Sequence, residues 1–180
     1  MTLTDIANLV LEDLGARSIA SIDSDDFDAQ RIKRRIYTTI DEVATLRKWI
    51  CLRRTEKLVK SSSNEVESRF LLPNGLVEII DTFPMCDYRR EGREIIAGVQ
   101  ELTIKCTVIS YNPNEWDVNF KGAVMSKLGA DLAMMITKNA QLAAQKKQLA
   151  NLEIPRYIGN DIYAEKPRRV QERPHWFNGW

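Results

Sequence analysis

Histidine is nearly missing from this chain. The one copy, His175, stands between Pro174 and Trp176, far in sequence from any carboxylate-rich helix or cysteine pair, which argues against a catalytic triad and against a histidine metal site. Cysteine is sparse and odd in number: Cys51, Cys86 and Cys106 are widely spaced and lack the paired C-x-x-C spacing of zinc and redox sites, so reduced, half-buried thiols are expected. There is no glycine-rich phosphate loop, because Gly122 and Gly129 sit inside a helical pattern without the neighbouring turn and lysine. No apolar run reaches eighteen residues and no charged-then-apolar leader is seen, so neither a membrane span nor a signal peptide is expected, and the chain reads as made in a cytoplasm.

Net charge is also small. Lysine and arginine number 26 against 25 acidic residues, a balance of +1, whereas a dedicated nucleic-acid-binding domain is strongly basic. The balance conceals two blocks: residues 1–30 hold seven acidic side chains and one basic, residues 31–60 ten basic and three acidic. Such blocks can pair within one subunit, pair between neighbours, or simply form two solvated faces. Hydrophobic content of 44% and charged content of 28% are those of a globular protein, and 180 residues suffice for one domain with its own core, or one domain carrying a small insertion.

What is present is helical periodicity. Ile6, Leu9, Val10 and Leu14 share a face, Thr2 and Asp5 fit a capping box, and Gly15 fits a left-handed stop, which predicts a helix of about three turns. A longer helix is predicted from residues 24–26 to Trp49, opened by a capping serine and several carboxylates. Its stripe of Ile32, Ile36, Ile40, Val43 and Leu46 faces a partner through about 34 Å, while Arg31, Lys33, Arg34, Arg35 and Lys48 mostly take the other faces. After Trp49 the period changes. Residues 51–60 and 67–72 flank the polar turn Ser61, Ser62, Ser63 and Asn64 as a hairpin, residues 76–80 and 94–97 are short strands, and residues 102–109 alternate as the best strand. Asn112-Pro113-Asn114 ends that strand. Residues 118–137 return to a helical period through Phe120, Val124, Leu128, Leu132 and Ile136, and a further helix spans residues 139–154, separated by caps at Thr137 and Asn139 and ended or kinked by Pro155.

The run 23–28 imitates a calcium loop only superficially. Its fifth position is Phe27, its sixth is Asp28 where glycine is needed, and its twelfth is Arg34 where a bidentate glutamate is needed, so the carboxylates read as helix-start residues. Two basic clusters, 31–35 and 89–93, could meet DNA phosphate or an acidic partner. Neither has the interleaved aromatics of nucleic-acid modules, and the simpler reading is a solvated helix face and a charged loop tip. Residues 155–180 have no sustained period, yet hold Tyr157, Tyr163, Trp176, Phe177 and Trp180 among Arg168, Arg169 and Arg173, the composition of interface anchors. Packing back on its own domain is the alternative for this segment. No acid, base or nucleophile clusters, so an enzyme is not expected.

Several short motifs occur in a telling order: Leu14-Gly15, then Ile19 and Ile22, an acidic group with Asp23 and Asp26, a long helix to Trp49, Leu72-Pro73-Asn74-Gly75-Leu76, and later Leu132-Ala133 with Ile136-Thr137. This layout resembles the head-to-tail adaptors (connectors) of tailed phages, most closely the tail tubular protein A type of short-tailed phages, over most of residues 2–153. Ile50-Cys51-Leu52 stands where the family often has an aromatic, and Pro155 where its last helix often continues.

The resemblance implies a mainly α fold, in which residues 1–49 and 113–154 form a helical bundle, residues 50–112 a small antiparallel β-rich insertion, and residues 155–180 an extended C-terminal docking arm. It implies a virion protein at the head–tail junction, made in the host bacterial cytoplasm. Twelve copies would form a ring beneath the portal, extend the DNA channel without binding the genome specifically, and carry the tail nozzle or tube, with no cofactor, no metal and no membrane. Expected portal-docking residues are Tyr163, Arg168, Arg169, Arg173, Trp176, Phe177 and Trp180. Expected tail-side residues are Ser61, Ser62, Ser63, Asn64, Arg89, Arg90 and Arg93. The alternative function is a small DNA-binding or packaging accessory module using the basic face of helix 31–48.

Overall fold

The Thr2 side chain accepts a hydrogen bond from the Asp5 backbone N–H while the Asp5 carboxylate accepts from the Thr2 N–H, and this reciprocal cap starts α1, Leu3–Asp13. The structure is a computed structural model that describes residues 1–63 and 66–165. Gly15, at φ +67°, turns the chain out of α1 in the left-handed conformation that a side chain would resist. The connector is fixed by Asn8, whose amide donates to the Ile19 carbonyl and whose oxygen accepts from the Ile19 N–H. Helix α2, Phe27–Ala44, is shorter than the pattern predicts at both ends. Ser24 donates to the Ser21 carbonyl instead of capping, and Asp26 makes no side-chain cap bond.

Helix α3, Val118–Thr137, is capped by Asp117, which accepts from the Phe120 N–H, and ends at Lys138 with φ +53°. Asn139 then accepts from the Leu142 N–H and starts α4, Ala140–Glu165. Helix α3 is the central member, packed against α1, α2 and α4. Ile6, Val10, Ile32, Ile36, Ile40, Leu128 and Leu132 fill the space between them. Trp49 closes one end of this core: it is fully buried, donates its indole N–H to the Val43 carbonyl at 2.8 Å, and meets Phe120 edge-on at 5.3 Å.

Between α2 and α3 the chain forms seven strands. Sheet A has the order β1-β7-β4, from Arg53–Lys57, Thr103–Val108 and Leu76–Phe83; sheet B has the order β2-β3-β6-β5, from Val59–Ser63, Ser68–Leu71, Glu94–Ala97 and Tyr88–Glu91. All pairings are antiparallel. The run predicted as one strand over 51–60 is divided at Leu58, which bonds to the Leu102 carbonyl, so that β1 and β2 enter different sheets. Gly92, at φ +59°, opens the two-residue turn of the β5–β6 hairpin, as such turns require. Phe70, Leu72, Ile95, Leu102, Ile104 and Cys106 make a second core that belongs to the strands themselves.

This second core overturns the expected fold class. Among the described residues 50% are helical and 22% are in strands, in two antiparallel sheets, so the fold is α+β and not a mainly helical bundle with a small insertion. Periodicity underweights the β part because β5 is exposed along its whole length and carries no alternating pattern, while β3, β5 and β6 have only four residues each. The expected arm also differs. Helix α4 continues through Pro155, so residues 155–165 are helical and not extended. Proline removes one N–H and frees the carbonyl four residues earlier, at Asn151; both residues are exposed, so water can satisfy it.

Candidate functional site

The predicted tail-side residues come together on sheet B but at opposite edges. Ser61, Ser62 and Ser63 belong to strand β2 and not to a turn, while Arg89 and Arg90 lie on β5 and Arg93 in the β5–β6 turn. With β3 and β6 between them, the two edges stand about 14 Å apart at ordinary strand spacing. The arginines are engaged within the sheet: Arg89 bonds Glu67 at 2.9 Å and Glu91 at 3.1 Å, and Arg93 donates to Asn74. Ser61 donates to Glu94, whose carboxyl is held below its usual range by that bond and by Arg69. Asn64 lies outside the described residues.

Of the predicted portal-docking residues only Tyr163 is described, at 72% exposure in the last turns of α4. Arg168, Arg169, Arg173, Trp176, Phe177 and Trp180 lie outside the described residues. Tyr163 projects from a helix whose final turns are fastened by a cluster that no local sequence pattern reveals. Asp161 is fully buried, with Oδ2 2.8 Å from Arg47 Nε. Glu165 meets Arg53 at 2.6 Å and Arg47 at 3.0 Å, and Arg53 also donates to the Lys48 carbonyl. Burial raises the Asp161 carboxyl, Arg47 opposes that rise, and nearby Asp117 adds to it. Burial pushes the Cys51 thiol, beside the same two aspartates, up to about 12, which keeps it protonated and inert at neutral pH. The sequence holds one signal, an aspartate among apolar residues after Pro155, but its partners lie more than a hundred positions away.

The basic face of α2 is largely engaged inside the chain. Lys33 pairs with Asp23 at 2.7 Å, Arg35 with Asp131 at 2.5 Å, and Lys48 with Glu78 at 2.7 Å, while Arg31 lies over the Phe27 ring at 5.0 Å. The acidic and basic blocks therefore meet within one subunit at Asp23 and Lys33. Asp25, Asp26 and Asp28 make no ion pair with a described residue, and Asp26 and Asp28 rim a groove of about 570 Å³ between the connector, α2 and the end of α3. Ile19, Ile32 and Ile136 line it.

Apolar side chains also remain exposed across several elements, from Phe27 of α2 and Val59 of β2 to Val118 of α3. On the β part Phe83 and Met85 stand out, Met85 at 90% exposure; on α4 they are Leu149, Leu152 at 68%, Ile162 and Tyr163. Among the described residues no three histidine, cysteine or carboxylate side chains converge as a metal-ligand set, and no helix is long and apolar enough to cross a membrane. No family model matches the chain, and no curated protein matches it.

Proposed function

We propose that this protein is a head-to-tail adaptor of a tailed phage: a non-catalytic subunit of a ring, twelve copies by family resemblance, that sits beneath the portal, extends the DNA channel and carries the tail nozzle or tube. The observation that carries the reading is that exposed apolar side chains lie on separate parts of the molecule, among them Phe83 with Met85 on the β part and Leu149, Leu152 and Tyr163 on the outer side of α4. A ring member needs two different surfaces for its neighbours and more for the structures above and below it. The fastened end of α4 supports the expected role of the segment after Glu165, because it delivers that segment from a fixed point.

The alternative, a DNA-binding accessory module, loses support from the ion pairs of Lys33 and Arg35 on α2 and of Lys48 just beyond it, which already face carboxylates. A near-neutral chain with engaged cations suits a conduit through which DNA passes without adhering. The decisive experiment mixes the full chain with the portal protein of the same phage and images the product. A ring on the portal is expected, together with DNA retention that is weak even at low salt. Steeply salt-dependent DNA binding without portal binding would replace this reading with the alternative. Undiminished assembly after deleting residues 164–180 would remove the arm from the docking role.

A further inference from the structure

The outer face of α4 is chemically unusual for a face in water. Along its stripe run Gln141, Gln145, Gln148, Leu149, Leu152 and Arg156, with one charge in about four turns and both leucines exposed. A solvated helix face is ordinarily dense in charges of both signs, so a face of amides and exposed leucines is the composition of a contact. Within the stripe Arg156 makes no ion pair with a described residue, and at its edge Lys146 pairs with Asp13 while Glu153 accepts from Ser126.

The connector groove is its complement: apolar lining at Ile19, Ile32 and Ile136, two carboxylates, Asp26 and Asp28, without described ion-pair partners against one cation, Arg17, and the exposed ring of Phe27 beside it. The two surfaces are separate. The groove lies at the end of α3 that leads into α4, whereas Leu149 to Arg156 lie about 14 to 24 Å further along α4. Two α4 faces set against each other would offer Arg156 no carboxylate from the stripe, whereas the groove rim offers two.

We propose that copies of this chain join head to tail, the outer face of α4 in one copy seating on the connector groove of the next. Leu149 and Leu152 enter the groove and Arg156 meets Asp26 and Asp28. Different surfaces used in one direction generate a ring or a filament, and closure into a ring rests on the adaptor reading; the contact rests on the two surfaces.

Two variants of the full chain test it. Leu149→Gln with Leu152→Gln removes the apolar anchors while keeping good helix formers. Asp26→Lys with Asp28→Lys reverses the rim at the start of α2, where Asp26 makes no capping bond. Sedimentation up to about 1 mM is expected to show the unaltered chain growing into oligomers and each variant alone remaining monomeric. An equimolar mixture of the variants should form dimers and nothing larger, because only one contact per pair is intact. An unaltered chain that stays monomeric, a variant that assembles like it, or a mixture that stays monomeric or grows beyond dimers would overturn the proposal. Oligomers made through this contact that ignore the portal would overturn the adaptor reading and leave the contact standing. Portal-bound rings indifferent to both variants would do the reverse.

Discussion

Asp161 of α4 lies fully buried with its carboxylate 2.8 Å from Arg47 Nε, just beyond the end of α2, and the pair joins the last turns of the chain's longest helix to the other side of the fold. Ala150 and Asp161 are the fully buried side chains on α4; beyond Pro155, Tyr157 and Ile158 pack against the helical core and the ion pairs of Asp161 and Glu165 fasten the last turns.

Removing Arg47 leaves Asp161 buried without compensation, whereas removing Asp161 leaves Arg47 its pair with Glu165. Arg47→Met is expected to cost about 3–5 kcal/mol, the range for breaking a buried ion pair, whereas Asp161→Asn, which leaves no uncompensated carboxylate, should cost less. Denaturant unfolding measures both. Hydrogen exchange should localise the loss to residues 156–165; equal costs for the two variants would contradict the account.

Acid should loosen the same helix through Glu165. Hydrogen bonding to Arg53 holds its carboxyl down at about 2, from an ordinary value of 4.5. A carboxylate lowered in the fold adds stability above its unfolded value and loses it as pH falls through the folded one. The contribution of Glu165 is therefore complete above about pH 4.5 and gone by about pH 2. Asp161 acts in the opposite sense, because its raised carboxyl costs stability when ionised and the cost is relieved as pH falls. Glu165→Gln should flatten the acid limb of a stability-against-pH curve, and an unchanged limb would count against the Arg53 contact.

Gly122 makes room for Tyr157 where α3 and α4 cross. A methyl group there would stand 2.5 Å from the tyrosine ring. Alanine usually gains about 1 kcal/mol over glycine inside a helix, yet Gly122→Ala is expected to destabilise, since overpacking costs about 1–3 kcal/mol. Adding Tyr157→Ala should turn the alanine from harmful to helpful, a coupling that a double-mutant cycle reads directly.

Cysteine reactivity offers a simple probe of the folded state. Cys106 is fully buried and burial raises its thiol, as it does that of Cys51, while Cys86 is half-buried in the β4–β5 connection. Iodoacetamide at pH 8 followed by mass spectrometry should therefore label Cys86 first and the other two only on unfolding.

The cap of Thr2 and Asp5, the stop at Gly15, the stripe from Phe120 to Ile136, the break at residues 137–139 and the alternation of β7 are all legible in the order of the residues. Each depends on residues a few positions apart, and 3.6- or 2-residue periods carry that information in the chain itself. The size of the β part is not legible, because β5 is a strand only by pairing with β6 and shows no pattern of its own. Nor is the division at Leu58, which depends on Leu102, or the engagement of the tail-side arginines, whose partners Glu67 and Asn74 come from neighbouring strands and turns.

Sequence alone therefore determined both ends of α1 and α3, the start of α4 and the apolar face of α1, α2 and α3, since caps and periodicity act over one or two turns. Tertiary structure alone decided which charges remain available to a partner. Lys33 and Asp23 are ten positions apart and Arg47 and Asp161 more than a hundred, and only the packed fold shows the first pair exposed, the second buried, and Asp26, Asp28 and Arg156 without a described ion-pair partner. Proline, too, ended a helix only in expectation: on the solvent side of α4 water can take the place of its missing hydrogen bond, and the packing of Tyr157 and Ile158 with the distant ion pairs at Arg47 and Arg53 carries the helix on to Glu165.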